Sequence, residues 1–283
     1  MTSSIPACNR MSADGRQSTR ECLGVVIDHR LRSKLARLDP PPQSPSGNAF
    51  GSILEEFEEL YMRPFTRDLD HHEYLVTTQL LKPTKIGGVI ALLQQPADKH
   101  PFKNGLNAVT NGSPTLRVLR EVEHMITGVR GGMSILDSLP FIKSSTELNN
   151  ASRIDLRSAV FRILQAKRPR AILCMWQDEP SACGELAPFR SQGVGKVFSS
   201  STCASQIGSC SSRINAFHPS FMLRYGPDMS CLRQLLILEM TQAFAVCAGN
   251  WQNEPWMSHL RSTCQEAARK ISARSRQSTI KSR

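Results

Sequence analysis

From Lys85 onward, short apolar runs alternate with segments of helical periodicity, and this alternation restricts the chain more than any other feature of its sequence. A buried strand that must be followed by a parallel neighbour needs a crossover helix to bring the chain back. The pattern therefore predicts an α/β domain with a mainly parallel sheet. Gly88-Val-Ile-Ala-Leu-Leu93 reads as the first strand, with a loop around Pro96 and Pro101 after it. Ser113 and Pro114 occupy the preferred cap and first-turn positions of a helix that carries Leu116, Leu119, Val122, Glu123 and Ile126 and stops at Gly128. Met133 to Leu136 is the next strand. Ser152 is placed to cap a helix through Val160, Phe161 and Leu164, which ends at Lys167-Arg-Pro169 and feeds the strand Ala171-Ile-Leu-Cys-Met-Trp176. A Gly/Ser-rich connection from Ser191 to Ser212 holds one short strand, Lys196-Val-Phe198. Arg213 to Phe217 is the last strand, and Ser230 opens a long apolar helix that runs to Gly249.

The ends read differently. Residues 1–50 mix Ser, Arg, Pro and Gly with little periodicity, and the run Asp39-Pro-Pro-Pro-Gln-Ser-Pro-Ser-Gly47 neither pairs as a central strand nor continues a helix. They are expected to form a disordered leader. Residues 51–75 are expected to hold an amphipathic helix, with Ile53, Leu54, Phe57, Leu60 and Tyr61 opposite a glutamate face, stopped by Pro64. The α/β domain is assigned to 76–255, and 256–283 to a basic tail in which Glu266 is the sole acid.

The net charge of +11 favours an anionic partner, since each cation set near a phosphate releases counterions. No apolar run reaches the length of a membrane span, so no membrane partner is expected. Nine cysteines at scattered spacing lack the paired units of a structural zinc site; reduced thiols, no metal and no cofactor are expected. Gly193-Val-Gly-Lys196 suggests a phosphate loop, but Arg190 stands where its first glycine belongs and Val197 replaces the magnesium-binding hydroxyl.

In open α/β sheets, ligands bind where loops leave the carboxyl ends of the strands. Three such loops carry chemistry: Leu93-Gln-Gln-Pro-Ala97, Ile135-Leu-Asp-Ser138 and Phe217-His-Pro-Ser220. In this order, together with Asn104-Gly-Leu-Asn-Ala-Val109, Ser113-Pro-Thr-Leu-Arg117, Gly132-Met-Ser-Ile-Leu-Asp137 and the strand end Met175-Trp176, the chain resembles the uracil-DNA glycosylase superfamily over residues 86 to 250. The resemblance implies a three-layer α/β/α domain and DNA as partner. It also implies a nuclear location, with cytoplasm or mitochondrion as alternatives.

It further implies roles for individual residues. His218 would stabilise the departing base, and Ser220, Pro219 and the surrounding backbone would grip a phosphate. Gln95 would orient water, Gln94 and Pro96 would shape that loop, and Asp137 would read the edge of the base. Ala108 stands where the family stacks an aromatic ring, and Met222 near its wedge position. The family's Gly-Gln-Asp-Pro-Tyr appears here as Leu93-Gln-Gln-Pro-Ala97, so an amide that positions water but takes no proton replaces a carboxylate. An ionised Asp137 would accept but not donate, which argues against uracil. The expected function is a divergent DNA N-glycosylase acting on a flipped non-uracil or damaged base; the alternative is an inactive DNA-binding module that keeps the fold.

Overall fold

The computed structural model describes residues 71–81, 87–97, 99–128, 131–140, 150–177, 183–190, 197–198, 211–220, 230–249, 254–255, 257–264, 266 and 270. The leader, the helix expected around Ile53 to Tyr61 and most of the Ser191 to Ser212 connection lie outside them. Among the described residues there are five strands: β1 (Val89–Leu93), β2 (Ser134–Asp137), β3 (Ala171–Cys174), β4 (Val197–Phe198) and β5 (Ser212–Asn215). The sheet order is β2-β1-β3-β5-β4; the first four are parallel and β4 is an antiparallel edge.

Helices α1 (His71–Leu81), α2 (Gly105–Gly112), α3 (Pro114–Thr127), α4 (Asn150–Lys167) and α5 (Ser230–Cys247) accompany them. The chain moves from β1 to β2 in one direction across the sheet and from β2 to β3 in the other. Right-handed crossovers then force α3 and α4 onto opposite faces. Two apolar layers follow from strand alternation. Ala91, Leu93, Ile135, Leu173 and Ile214 pack with α3 and α5. Ile90, Leu92, Leu136, Ile172 and Cys174 pack with α4 and the 3-10 segment Gly184–Phe189. The domain is thus a three-layer α/β/α fold.

The expected signals at α3 appear as read. Ser113 Oγ accepts from the Leu116 amide, Pro114 opens the first turn and Gly128 ends the helix at a φ of 72°. That left-handed turn is cheap for glycine because it has no Cβ. Glu123, which falls on the buried stripe of α3, is fully buried and accepts from the amides of Met133 and Gly131 and from Arg120 Nη1. A carboxylate there supplies the polar partners that the turn into β2 needs, so it fixes where β2 begins.

Several boundaries differ. Helix α4 opens at Asn150, ahead of Ser152, and β5 ends at Asn215 rather than Phe217. Helix α1 crosses the expected boundary at residue 75, because Tyr74, Val76, Leu80 and Leu81 are core residues. Helix α2 and the 3-10 turn Phe102–Asn104 occupy what reads as loop; one buried residue, Val109, in α2 is too short a signal for periodicity. Residues 257–264, grouped with the basic tail, are helical, and Met257, Leu260 and Cys264 are buried in the α5 layer. Arg261 binds Glu239 at 2.9 Å and Gln242 at 2.6 Å, so one of the supposed tail cations is a buried partner of α5. Cys174, Cys183, Cys247 and Cys264 are buried thiols. Among the described residues no helix is long and apolar enough to cross a membrane.

Candidate functional site

The direction of the crossovers changes at β1 and β3, and such a switch point leaves a crevice beyond the carboxyl ends of the strands. Backbone hydrogen bonds continue past the strand ends and set the loops that line it. Leu93 O accepts from the Ser138 amide at 2.9 Å, and Gln94 O accepts from the Leu139 amide at 3.0 Å and from Ser138 Oγ at 2.9 Å. The exits of β1 and β2 are thereby laced together. Met175 N donates to Leu92 O and Ala216 N to Cys174 O, which extends the same order across β3 and β5 to within two residues of His218.

A small recess open to solvent lies there. Its lining includes Gln95, Pro96, Asp137 and His218, together with Thr77 and Leu80 of α1, His100, Phe102 and Ser113. Four of the residues singled out in the sequence therefore share one cavity. Of the others among the described residues, none lines it. Gln94 is exposed and contributes its carbonyl to the lacing; Ala108 lies half-buried on α2; Pro219 is buried. Met222 lies outside the described residues.

Two contacts from Ser220 fix Nδ1 of His218. The Ser220 amide donates to Nδ1 at 3.2 Å, and Ser220 Oγ lies 2.8 Å from the same nitrogen. An amide N–H can only donate, so Nδ1 is the acceptor and the ring proton sits on Nε2. Ser220, read as a phosphate ligand, is thus also the residue that sets the tautomer of His218.

Asp137 is the electrostatic centre. It shares the recess with Thr77 and Leu80 of α1, is 8% exposed, and its Oδ1 has no hydrogen-bond partner among the described residues. Burial, and secondarily the neighbouring Glu73 carboxylate, push its pKa up to about 8. At neutral pH the group is therefore a carboxylic acid, with one donor and one acceptor. Glu73 is itself 4% exposed in the first turn of α1, and the sequence gives no hint of this because an acid at a helix start is ordinarily solvated.

His100 belongs to no motif that the sequence displays. Its amide donates to Ala97 O at 3.1 Å, which folds the loop back beside Gln95, and its ring meets Phe102 edge-to-face at 5.6 Å between centroids. Burial lowers its pKa. The available signal is its place in the loop after β1, three residues beyond Ala97. No group of three or more His, Cys, Asp or Glu side chains suited to a metal ion exists among the described residues.

No protein-family model and no curated protein matches the chain. The reading of the site accordingly rests on its chemistry.

Proposed function

We propose that the chain is a divergent DNA glycosylase-like protein that hydrolyses the N-glycosidic bond of a flipped, non-uracil or damaged base. The observation that carries this reading is the meeting of Gln95, Asp137 and His218 in one recess at the carboxyl ends of the parallel strands. Each supplies a different requirement of the reaction. The Nε2–H of His218 is a donor for the negative charge that develops on a departing base. Neutral Asp137 has the donor that an ionised carboxylate lacks, so it suits an edge with a carbonyl beside a ring N–H. Gln95 can hold a water by its amide.

Ala97 lines the recess where the family places a tyrosine, which leaves room for a base bulkier than uracil. Hypoxanthine combines that size with the required edge; uracil carries the same edge, so a neutral Asp137 does not argue against it and size alone favours the larger base. The excess of cations suits the phosphate backbone of such a substrate.

The test is incubation of the purified protein with duplex and single-stranded oligonucleotides carrying hypoxanthine, uracil, mismatched thymine or alkylated bases, followed by alkaline cleavage of abasic sites. Strand breaks that disappear in His218→Ala support the enzyme. Salt-sensitive binding with no break for any base supports the second reading, a DNA-binding module without catalysis, which the replacement of a carboxylate by Gln95 favours.

A further inference from the structure

The recess contains an unassigned histidine, and the groups around it leave one chemical role unfilled. Breaking an N-glycosidic bond with water requires a proton acceptor for that water. Gln95 occupies the water-positioning loop, and an amide has no basic lone pair of useful strength at neutral pH. Burial holds the proton of Asp137 up to about pH 8, so at neutral pH its acceptor capacity is that of a neutral acid. His218 uses Nδ1 to accept from Ser220 and carries its proton on Nε2. The hydroxyls of Thr77, Ser113 and Thr115 are weaker bases still.

We propose that His100 is the catalytic base of this recess: it takes the proton of the attacking water that Gln95 positions. The assignment rests on the glycosylase reading of the site and adds a residue to it. Three features of the geometry support it. His100 lines the same recess as Gln95, Asp137 and His218. The 3.1 Å bond from its amide to Ala97 O ties its backbone to the loop that carries Gln95, and the 2.9 Å bond from the Phe102 amide to its carbonyl fixes the turn that follows. Its imidazole is braced edge-on by Phe102, with the rings at 83°, and nothing among the described residues hydrogen-bonds its ring nitrogens. Burial keeps the ring in the unprotonated form that a base needs.

In the proposed step the water oxygen bonds to C1′ of the nucleotide, and the C1′–N bond breaks with its electron pair passing to the base. The water proton moves to the unprotonated nitrogen of His100, while His218 Nε2–H hydrogen-bonds the departing base. His100 then releases the proton to solvent, and the base takes one up, so the sum is hydrolysis.

The experiment compares wild type, His100→Gln and His100→Ala in single-turnover cleavage of the best oligonucleotide from the panel above. Affinity for the same oligonucleotide carrying a normal base, and melting temperature, are measured in parallel. His100→Gln is expected to cleave about 100-fold or more slowly, with affinity changed by less than about threefold, because general-base catalysis is worth roughly that much. Added imidazole is expected to restore part of the rate of His100→Ala. A cleavage rate for His100→Gln close to wild type overturns the assignment and leaves the glycosylase reading intact. If His100→Gln melts early or loses affinity, rescue of His100→Ala by imidazole decides, and absence of rescue overturns it. Wild-type protein that cleaves none of the bases overturns both readings together.

Discussion

Replacing Asp137 with asparagine keeps the shape of the side chain and its donor and acceptor but removes the titrating proton. The folded protein holds that proton up to about pH 8, whereas an unfolded aspartate releases it near pH 3.9. Between those values the folded state binds more protons than the unfolded one, so stability falls as pH rises through the window and is level outside it. Each pH unit is worth about 1.4 kcal/mol, so from about pH 5 to about pH 8 the wild type should lose on the order of 4 kcal/mol relative to Asp137→Asn. The group is 8% exposed, so solvent screening takes little from this figure. Urea unfolding of both proteins at about pH 5, 6, 7 and 8 measures the difference directly. At about pH 5 the variant should already be ahead by about 1–2 kcal/mol, because the unfolded aspartate is mostly ionised there while the folded one is not, and at the alkaline end its lead should reach on the order of 5 kcal/mol. Parallel curves, or a variant weaker than wild type at about pH 8, would refute the placement of a neutral acid in the recess.

Three further perturbations follow from the same structure. Glu123→Ala should cost about 3–5 kcal/mol in urea unfolding, because it leaves two amides and Arg120 without their buried acceptor; a loss under about 1 kcal/mol would show that water replaces it. Ser220→Ala keeps the amide that sets the tautomer of His218, so single-turnover cleavage should fall only about three- to tenfold with the melting temperature unchanged; a loss as deep as that of His218→Ala would assign the hydroxyl a direct role. Gln95→Asp restores a proton-accepting group to the loop and should raise the cleavage rate about tenfold or more; a fall would show that the amide itself is required.

The parts of this molecule that sequence makes legible are those that local physics determines. Ser113, Pro114 and Gly128 carry their own backbone preferences, and the strands β1 and β3 are unbroken apolar runs, as buried parallel strands must be. The loops after β1, β2 and β5 could be named because their position follows from the strand order. The environment inside the recess could not. The protonation of Asp137 comes first from its burial and second from Glu73, 64 residues earlier on a helix that packs over β2, and no spacing rule connects them. The same holds for His100, whose ring is aimed by Phe102 and a single turn of backbone. Arg261 shows the opposite failure: a cation in a basic run reads as solvated until its partner on α5 is known.

That pairing has a consequence for how the chain can be shortened. Glu239 is a fully buried acid whose pKa is raised by burial and opposed by Arg261, on a segment that follows an exposed residue, Gly249. A protease that cuts after Arg269 leaves the Arg261–Glu239 pair and the buried Met257, Leu260 and Cys264 in place. A cut between Gly249 and Met257 would release the cation that answers Glu239 and uncover Met257, Leu260 and Cys264, and the fragment left behind should unfold and be digested outright. Limited proteolysis should therefore yield no stable product that ends just before the 257–264 helix.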